Sequence, residues 1–437
     1  MEVFNELKLR FDEPIWAYSP ELALFDIFLE KHPEIVKEVG VDILKLVKNN
    51  GIGRQDSPSV ETILRAAIYM TVEKLTYRDL EKHMCDSKVC IHFLRLEEGC
   101  YYSFSVMQKF ISVIKEETIM HIIKDVNKLA ISEGIEDGKA LSSDTTNIQT
   151  DVHYPTNNAL IYDCIKTAHR LLKKIKKDKS DQDRLDKMQK NAKELNYKIN
   201  NTKKDDQQQL FFDYMTLLSM LIAESKDTVN RYPATKHIIK LSAFLTSFDK
   251  VYNMSFKHQI LNEKVPNADK LFSIFEPHTT ILVKGQRKIE FGHKLLITRG
   301  KSNLILDHKV FEDVPADSNL LLPSIERIIQ NYDVQPTDTS NDGGFVSKTN
   351  IEGCKEKGLI NIVFTKITKS LKNISQSPEI ERQLKIWRGT TEAVISNLKR
   401  GFDVQRVLWQ GFEKFSAKIA WSILGYNLRV ITNRILD

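Results

Sequence analysis

The chain has 437 residues, too many for one ordinary hydrophobic core, and predicts two or three domains. Its 41% apolar and 28% charged residues are the balance of a folded protein and exclude a largely disordered chain. No apolar run approaches the roughly 20 residues that span a bilayer, and the opening MEVFNELKLRFDEP lacks the pattern of a signal peptide. A net charge of +6 permits a polyanionic partner without requiring one. Five cysteines (Cys85, Cys90, Cys100, Cys164, Cys354) show no zinc spacing and read as small buried hydrophobes in a reduced, cytoplasmic protein.

Residues 1–135 read as all helical. Ser57-Pro58 suits an N-cap followed by proline at the first helical position. Thr76-x-x-Asp79 is a capping box opening the next helix. The pair is compatible with a helix-turn-helix offering Arg78, Lys82 and His83 to DNA, although tight helical pairs are common in other settings. One longer helix is predicted from SVMQKFISVIK to Gly134.

The run GKALSSDTTNI reads as a strand that delivers Asp144 at its end. From residue 158 to 262 the period turns helical, with Ile161, Cys164, Ala168, Leu171 and Ile175 on one face and Leu185, Met188, Ala192, Leu195 and Ile199 on another. NNTKKDDQQQ suits the bend between two long antiparallel helices. This insertion carries the densest basic run, including Lys173, Lys174, Lys176, Lys177 and Lys179. Such a run is either a solvated helix face or a tracker of phosphates. The insertion itself is either an arm or dimerisation hairpin, or a DNA contact.

Three β-forming runs follow, broken at Lys284-Gly285 and Arg299-Gly300, as expected of adjacent antiparallel strands. A helix over SNLLLPSIERIIQNY leads to a strand ending at Asp342-Gly343-Gly344, then to the strand GLINIVFTKI. The last hundred residues are mostly helical and hold Glu392. The predicted class is α/β (mixed α+β): a mixed sheet with a large helical insertion in residues 136–437, preceded by an all-helical domain over 1–135.

Three acids stand out. Asp144 and Asp342 fall where β-forming runs give out, and Glu392 sits in a helix with Arg388 one turn before it and Lys399 two turns after it on the same face. Carboxylate oxygens suit a hard cation such as Mg²⁺, and the order strand, later strand, C-terminal helix is the ribonuclease H-like plan. An ordinary i,i+4 pair of Arg388 with Glu392 is the alternative for the helix alone. Asp338 competes with Asp342, but the Gly-Gly turn favours Asp342. His153 and His293 read more readily as structural than as substrate contacts, and Lys294 is better placed to meet a phosphate.

Taken together, LTYRDLEKHMCDSKVCIHFLRL, DTTNIQTDVHYPT, KGQRKIEFGHKLLI, NDGGFVS, RGTTEAVISNLKRGF and GYNL make the chain resemble bacterial insertion-sequence transposases of the DDE class. Arg388-x3-Glu392-x6-Lys399 is similar to the arginine, glutamate and lysine of a signature in that family, with Lys385 where its leading tyrosine would stand. The resemblance implies a ribonuclease H-like catalytic domain in which Asp144, Asp342 and Glu392 hold two Mg²⁺ (or Mn²⁺) ions. It implies hydrolysis at the ends of a mobile element, then attack of the freed 3′-hydroxyl on target DNA. Arg388, Lys399, Lys294, Arg78, Lys173 and Lys174 become the expected DNA contacts. The expected partner is double-stranded DNA, engaged by a homodimer in a cytoplasmic, nucleoid-associated complex. A stand-alone nuclease and an inactive DNA-binding protein are the other readings.

Overall fold

The computed structural model describes residues 19–45, 57–97, 99–203, 206–284, 288–367 and 370–436. The opening MEVFNELKLRFDEP, Gly285, and Lys204 and Asp205 of the polar bend lie outside them. The chain divides into two compact units, residues 1–149 with 293–437, and residues 150–292.

The first unit begins with helices α1 (Pro20–Lys31), α2 (Glu34–Leu44), α3 (Val60–Val72), α4 (Tyr77–Asp86), α5 (Lys88–Phe93), α6 (Phe104–Ile111) and α7 (Glu116–Ser132). The α3 cap is Ser59, whose hydroxyl accepts from the Thr62 amide, so the start expected at Ser57-Pro58 moves two residues on. Thr76 and Asp79 do form the capping box of α4. The single helix expected up to Gly134 is two helices, α6 and α7, with Lys115 capping the second in an extended conformation. Gly134 ends it with φ +72°, which glycine adopts freely.

These helices do not form a domain of their own. Apolar side chains of α1, α3 and α7 share one core with Leu141 and Ile148, with Leu295–Ile297, and with helix α15 (Phe412–Leu436) near the other end of the chain. The boundary expected at residue 135 is therefore absent. The reason is α15, whose buried face carries Trp421, Ile423, Leu424 and Leu428 and packs on α1, α3 and α7.

Among the described residues, seven strands form one mixed sheet. In the first unit β3 (Lys288–Arg299) neighbours β1 (Ala140–Thr150), β1 neighbours β5 (Asp338–Asn341), and β5 neighbours β6 (Asn361–Phe364). β4 (Ile305–Phe311) runs antiparallel to β3, and the short β7 (Arg406–Val407) pairs with β1. β1, β5 and β6 are parallel. Helix α12 (Leu321–Tyr332) packs on β4, and a helix not expected from the sequence, α13 (Lys348–Glu356), connects β5 to β6. Helix α14 (Pro378–Gly401) packs on β5 and β6. It is well specified locally: the Ser377 hydroxyl accepts from the Ile380 amide, Pro378 opens it, Glu379 and Glu381 sit in the first turn, and Lys399 and Arg400 in the last.

The second unit holds α8 (Asn157–Ile175), α9 (Lys179–Asn201), α10 (Gln208–Arg231) and α11 (Lys236–Gln259), with β2 (Thr280–Lys284) paired antiparallel to the first half of β3. It has its own apolar core, in which Ile161, Cys164, Ala168, Leu171, Leu185, Met188, Ala192 and Ile199 are buried as their helical spacing predicts. The insertion is wider than the expected 158–262, because the β2 hairpin belongs to it. Cys90, Cys164 and Cys354 are buried as expected, but Cys85 and Cys100 are exposed, and all five are free thiols.

Candidate active site

Ladder pairing between β1 and β5 covers only Ala140 with Asp338 and Leu141 with Thr339. The next bond across the pair is made by a side chain: the Ser143 amide donates to Asn341 Oδ1 at 2.7 Å. Asp144 follows this bond in β1, and Asp342 is the first residue after β5. The expected strand end at Asp144 is thus corrected. β1 continues to Thr150, and its ladder pairing with β5 already ends at Leu141.

Helix α14 closes the group. Arg388 Nη2 donates to Asp144 Oδ2 at 2.9 Å and lies 3.9 Å from Asp342 Oδ2, while Nη1 donates to Glu392 Oε1 at 3.2 Å. One guanidinium therefore touches the three acids singled out from sequence. Exposure separates them: the side chain of Asp144 is 15% exposed, that of Asp342 47% and that of Glu392 72%. Burial pushes the Asp144 carboxyl above the ordinary range despite the opposing pull of Arg388. Burial also acts on Asp342, but the Gly343 amide and the Thr365 hydroxyl, which donates at 2.9 Å, outweigh it and hold that carboxyl below the ordinary range.

The turn after Asp342 depends on its glycines. A Cβ on Gly343 would lie 2.9 Å from Lys366 Cβ and 3.1 Å from the Lys366 carbonyl oxygen, and one on Gly344 would lie 2.9 Å from Asp317 Oδ2. Asp317 is a fourth acid that sequence reasoning missed. It accepts from Thr145 Oγ1 at 3.1 Å and from Lys294 Nζ at 2.9 Å.

Other residues missed in the sequence are those just before each acid. Besides its amide bond to Asn341, Ser143 shares a hydroxyl bond with Thr298 at 2.8 Å. Asn341 also donates to Thr339 Oγ1 at 2.8 Å. Thr391 shares a bond with Ser142 Oγ at 2.9 Å and accepts from Arg299 Nε at 2.8 Å. The available signal was position: a small hydrogen-bonding residue precedes every candidate acid.

The expected DNA contacts fare unevenly. Arg388 is buried on protein carboxylates, and Lys294 is held by the Pro315 carbonyl and Asp317. Lys399 Nζ donates to the Asn147 carbonyl at 2.7 Å, tying α14 to β1. Lys173 bonds both oxygens of Asp186, whereas Lys174 is exposed at the end of α8. Arg78 is exposed, with its guanidinium 5.2 Å from the Phe104 ring centre. His83 turns inward to Tyr69 at 2.9 Å, which removes it from the proposed docking face. His293 is buried, bonded to the Phe311 carbonyl and packed on Phe412 and Phe415. Asp338 bonds Asn361 at the far end of β5 from Asp342.

Among the described residues no three His, Cys, Asp or Glu side chains form a ready-made metal cage. The donor chemistry nevertheless fits a hard divalent cation, since three carboxylates from three elements surround a spot that already holds a positive charge. No helix among the described residues is long and apolar enough to cross a membrane. No family model, curated protein or solved structure matches the chain.

Proposed function

We propose that the chain is a DNA transposase, a metal-dependent enzyme that cuts phosphodiester bonds at element ends and joins them to target DNA. The observation that carries this reading is the meeting of Asp144, Asp342 and Glu392 on Arg388, from positions far apart in sequence. We read the sheet as ribonuclease H-like: antiparallel β3 and β4, parallel β1, β5 and β6, and acids on the first strand, after a later strand and on a C-terminal helix.

In this reading Asp144, Asp342 and Glu392 hold Mg²⁺ or Mn²⁺, which when bound supplies Lewis-acid polarisation of the phosphate and an activated water. The chain's own residues do the rest. The Asn341 side chain ties β5 to β1 one residue before Asp144. The Lys399 bond to β1 fixes the C-terminal half of α14, and exposed Glu392 faces solvent where a duplex would approach. Released from the carboxylates, Arg388 is positioned to offset charge developing on a phosphate.

The test is nicking of a supercoiled plasmid carrying the DNA that flanks the reading frame, searched first for inverted repeats, with and without Mg²⁺ or Mn²⁺. Asp144→Asn, Asp342→Asn and Glu392→Gln each abolish nicking while duplex binding persists, because affinity rests on phosphate contacts and not on the carboxylates. Nicking without joined products points to a nuclease. A second reading, a catalytically silent DNA-binding protein, is favoured by one observation, the neutralisation of the acids by Arg388. Retained duplex binding with no metal-dependent nicking would select it.

A further inference from the structure

Arg299, at the end of β3, is a fully buried guanidinium with no ion-pair partner among the described residues. All its donors go to neutral acceptors: Nε to Thr391 Oγ1 at 2.8 Å, Nη1 to Asn303 Oδ1 at 2.8 Å and the Gly300 carbonyl at 3.3 Å, Nη2 to the Trp387 carbonyl at 2.8 Å and Thr390 Oγ1 at 2.7 Å. Its carbon Cζ lies 4.3 Å from the Trp387 ring centre. A buried charge bonded only to neutral acceptors is costly even with the Coulomb pull of buried Glu136 nearby, and an apolar side chain of the same size would pack this position more cheaply. Burial pushes the Arg299 group down to about 10, which reflects that cost. The planar fork of five N–H groups is what a lysine or an apolar residue lacks.

Two of the acceptors are informative. Trp387 immediately precedes Arg388, and Thr391 immediately precedes Glu392. Thr391 also shares a hydroxyl bond with Ser142, two residues before Asp144. We infer that Arg299 is a positioning residue. Through Trp387, Thr390 and Thr391 it sets the rotation of α14 about its own axis, and so the direction in which Arg388 and Glu392 meet Asp144. Val394, Leu398 and the Lys399 bond hold the C-terminal half of the helix, whereas the Arg299 bonds to a backbone carbonyl and two hydroxyls grip it at residues 387–391. This inference deepens the functional reading above, but its measurement does not use the reaction.

The experiment is hydrogen–deuterium exchange of the full chain, followed in peptides from α14, α7 and α15, for wild type, Arg299→Lys and Thr391→Val. Both variants should exchange about tenfold faster around residues 386–396, with α7 and α15 unchanged. Unchanged exchange in α14 would overturn the proposal. So would equal acceleration throughout the unit, which would make Arg299 a general stability residue. Should Arg299→Lys fail to fold, Thr391→Val, which removes only one acceptor, decides. In the nicking assay the variants lose kcat while KM for DNA holds. A wild type that never nicks sinks the functional reading alone, and the exchange result still decides Arg299.

Discussion

Arg388 and Asp144 lie 244 positions apart in the chain, yet Nη2 of one meets Oδ2 of the other at 2.9 Å. The other Asp144 oxygen accepts from the Thr145 amide at 2.8 Å, so both oxygens of this acid are engaged before any ion arrives. On the proposed metal-binding reading, a divalent cation and the guanidinium compete for one place.

Arg388→Gln tests the competition. Removing one partner of a buried ion pair leaves the other uncompensated, so the metal-free variant should lose roughly 3 kcal/mol. Mg²⁺ should then raise the melting temperature of the variant by more than it raises that of wild type. Thermal melts with and without Mg²⁺ measure both, and an equal or smaller rise in the variant would show that the two cations do not share the site.

Asn341 supplies the first bond after the β1–β5 ladder ends. Asn341→Ala strips the Ser143 amide of its acceptor in a fully buried setting, and such a group costs about 1–3 kcal/mol. Urea denaturation should show that loss. Stability equal to wild type would mean that other contacts hold β1 and β5 together at this point.

Gly343 and Gly344 differ in what a methyl group would strike. At Gly343 it meets Lys366 near its backbone, which cannot yield, and at Gly344 it meets the end of the Asp317 side chain, which can. Gly343→Ala should cost about 1–3 kcal/mol and Gly344→Ala distinctly less. The reverse order in denaturant midpoints would contradict this account of the turn.

Glu116 gives a pH dependence. Burial, helped by neighbouring Glu117, raises its carboxyl from 4.5 to about 7. The folded chain thus holds this proton more tightly than the unfolded one. The resulting stability is complete below pH 4.5 and is lost as pH rises through about 7. Denaturation at a series of pH values should show wild type weakening over that window, and Glu116→Gln should remove the slope.

The basic run can be divided by charge pairing. Lys173 is already paired with Asp186, and Lys176 with Glu224 at 2.7 Å, whereas Lys174 and Lys177 are exposed. In fluorescence anisotropy on a DNA duplex, Lys174→Gln with Lys177→Gln should lower the log–log salt slope by up to about 2, since each phosphate left without its lysine removes about 0.9. Lys173→Gln should change it less. Equal slopes in all variants would make the run a solvated face.

Much of this was legible in the chain and some was not, for physical reasons. Helical period and capping chemistry are local, so α4, α8, α9 and the strands β2, β3 and β4 could be read from short windows. Asp144 and Asp342 stood out beside β-forming runs and Gly-Gly, and Glu392 through Arg388 one turn before it on a helix; the fold brings all three to Arg388. The hidden parts are long-range. The merging of the N-terminal helices with the sheet depends on α15, which no local pattern connects to α1 or α3. Asp317 is a common residue in a loop, and only the fold brings it to Thr145 and Lys294. Arg388 and Lys294 were expected to face DNA because a sequence shows charge but not what has already claimed it.

The second unit is threaded between β1 and β3, and its two ends meet: the Thr150 hydroxyl donates to the Phe291 carbonyl at 3.4 Å. To the rest of the chain this whole excursion therefore counts as a hairpin-sized closure once it has folded on its own core. The entropy of joining two distant ends grows only slowly with length in any case. Evolution can therefore lengthen, trim or re-surface that body at little thermodynamic penalty to the sheet.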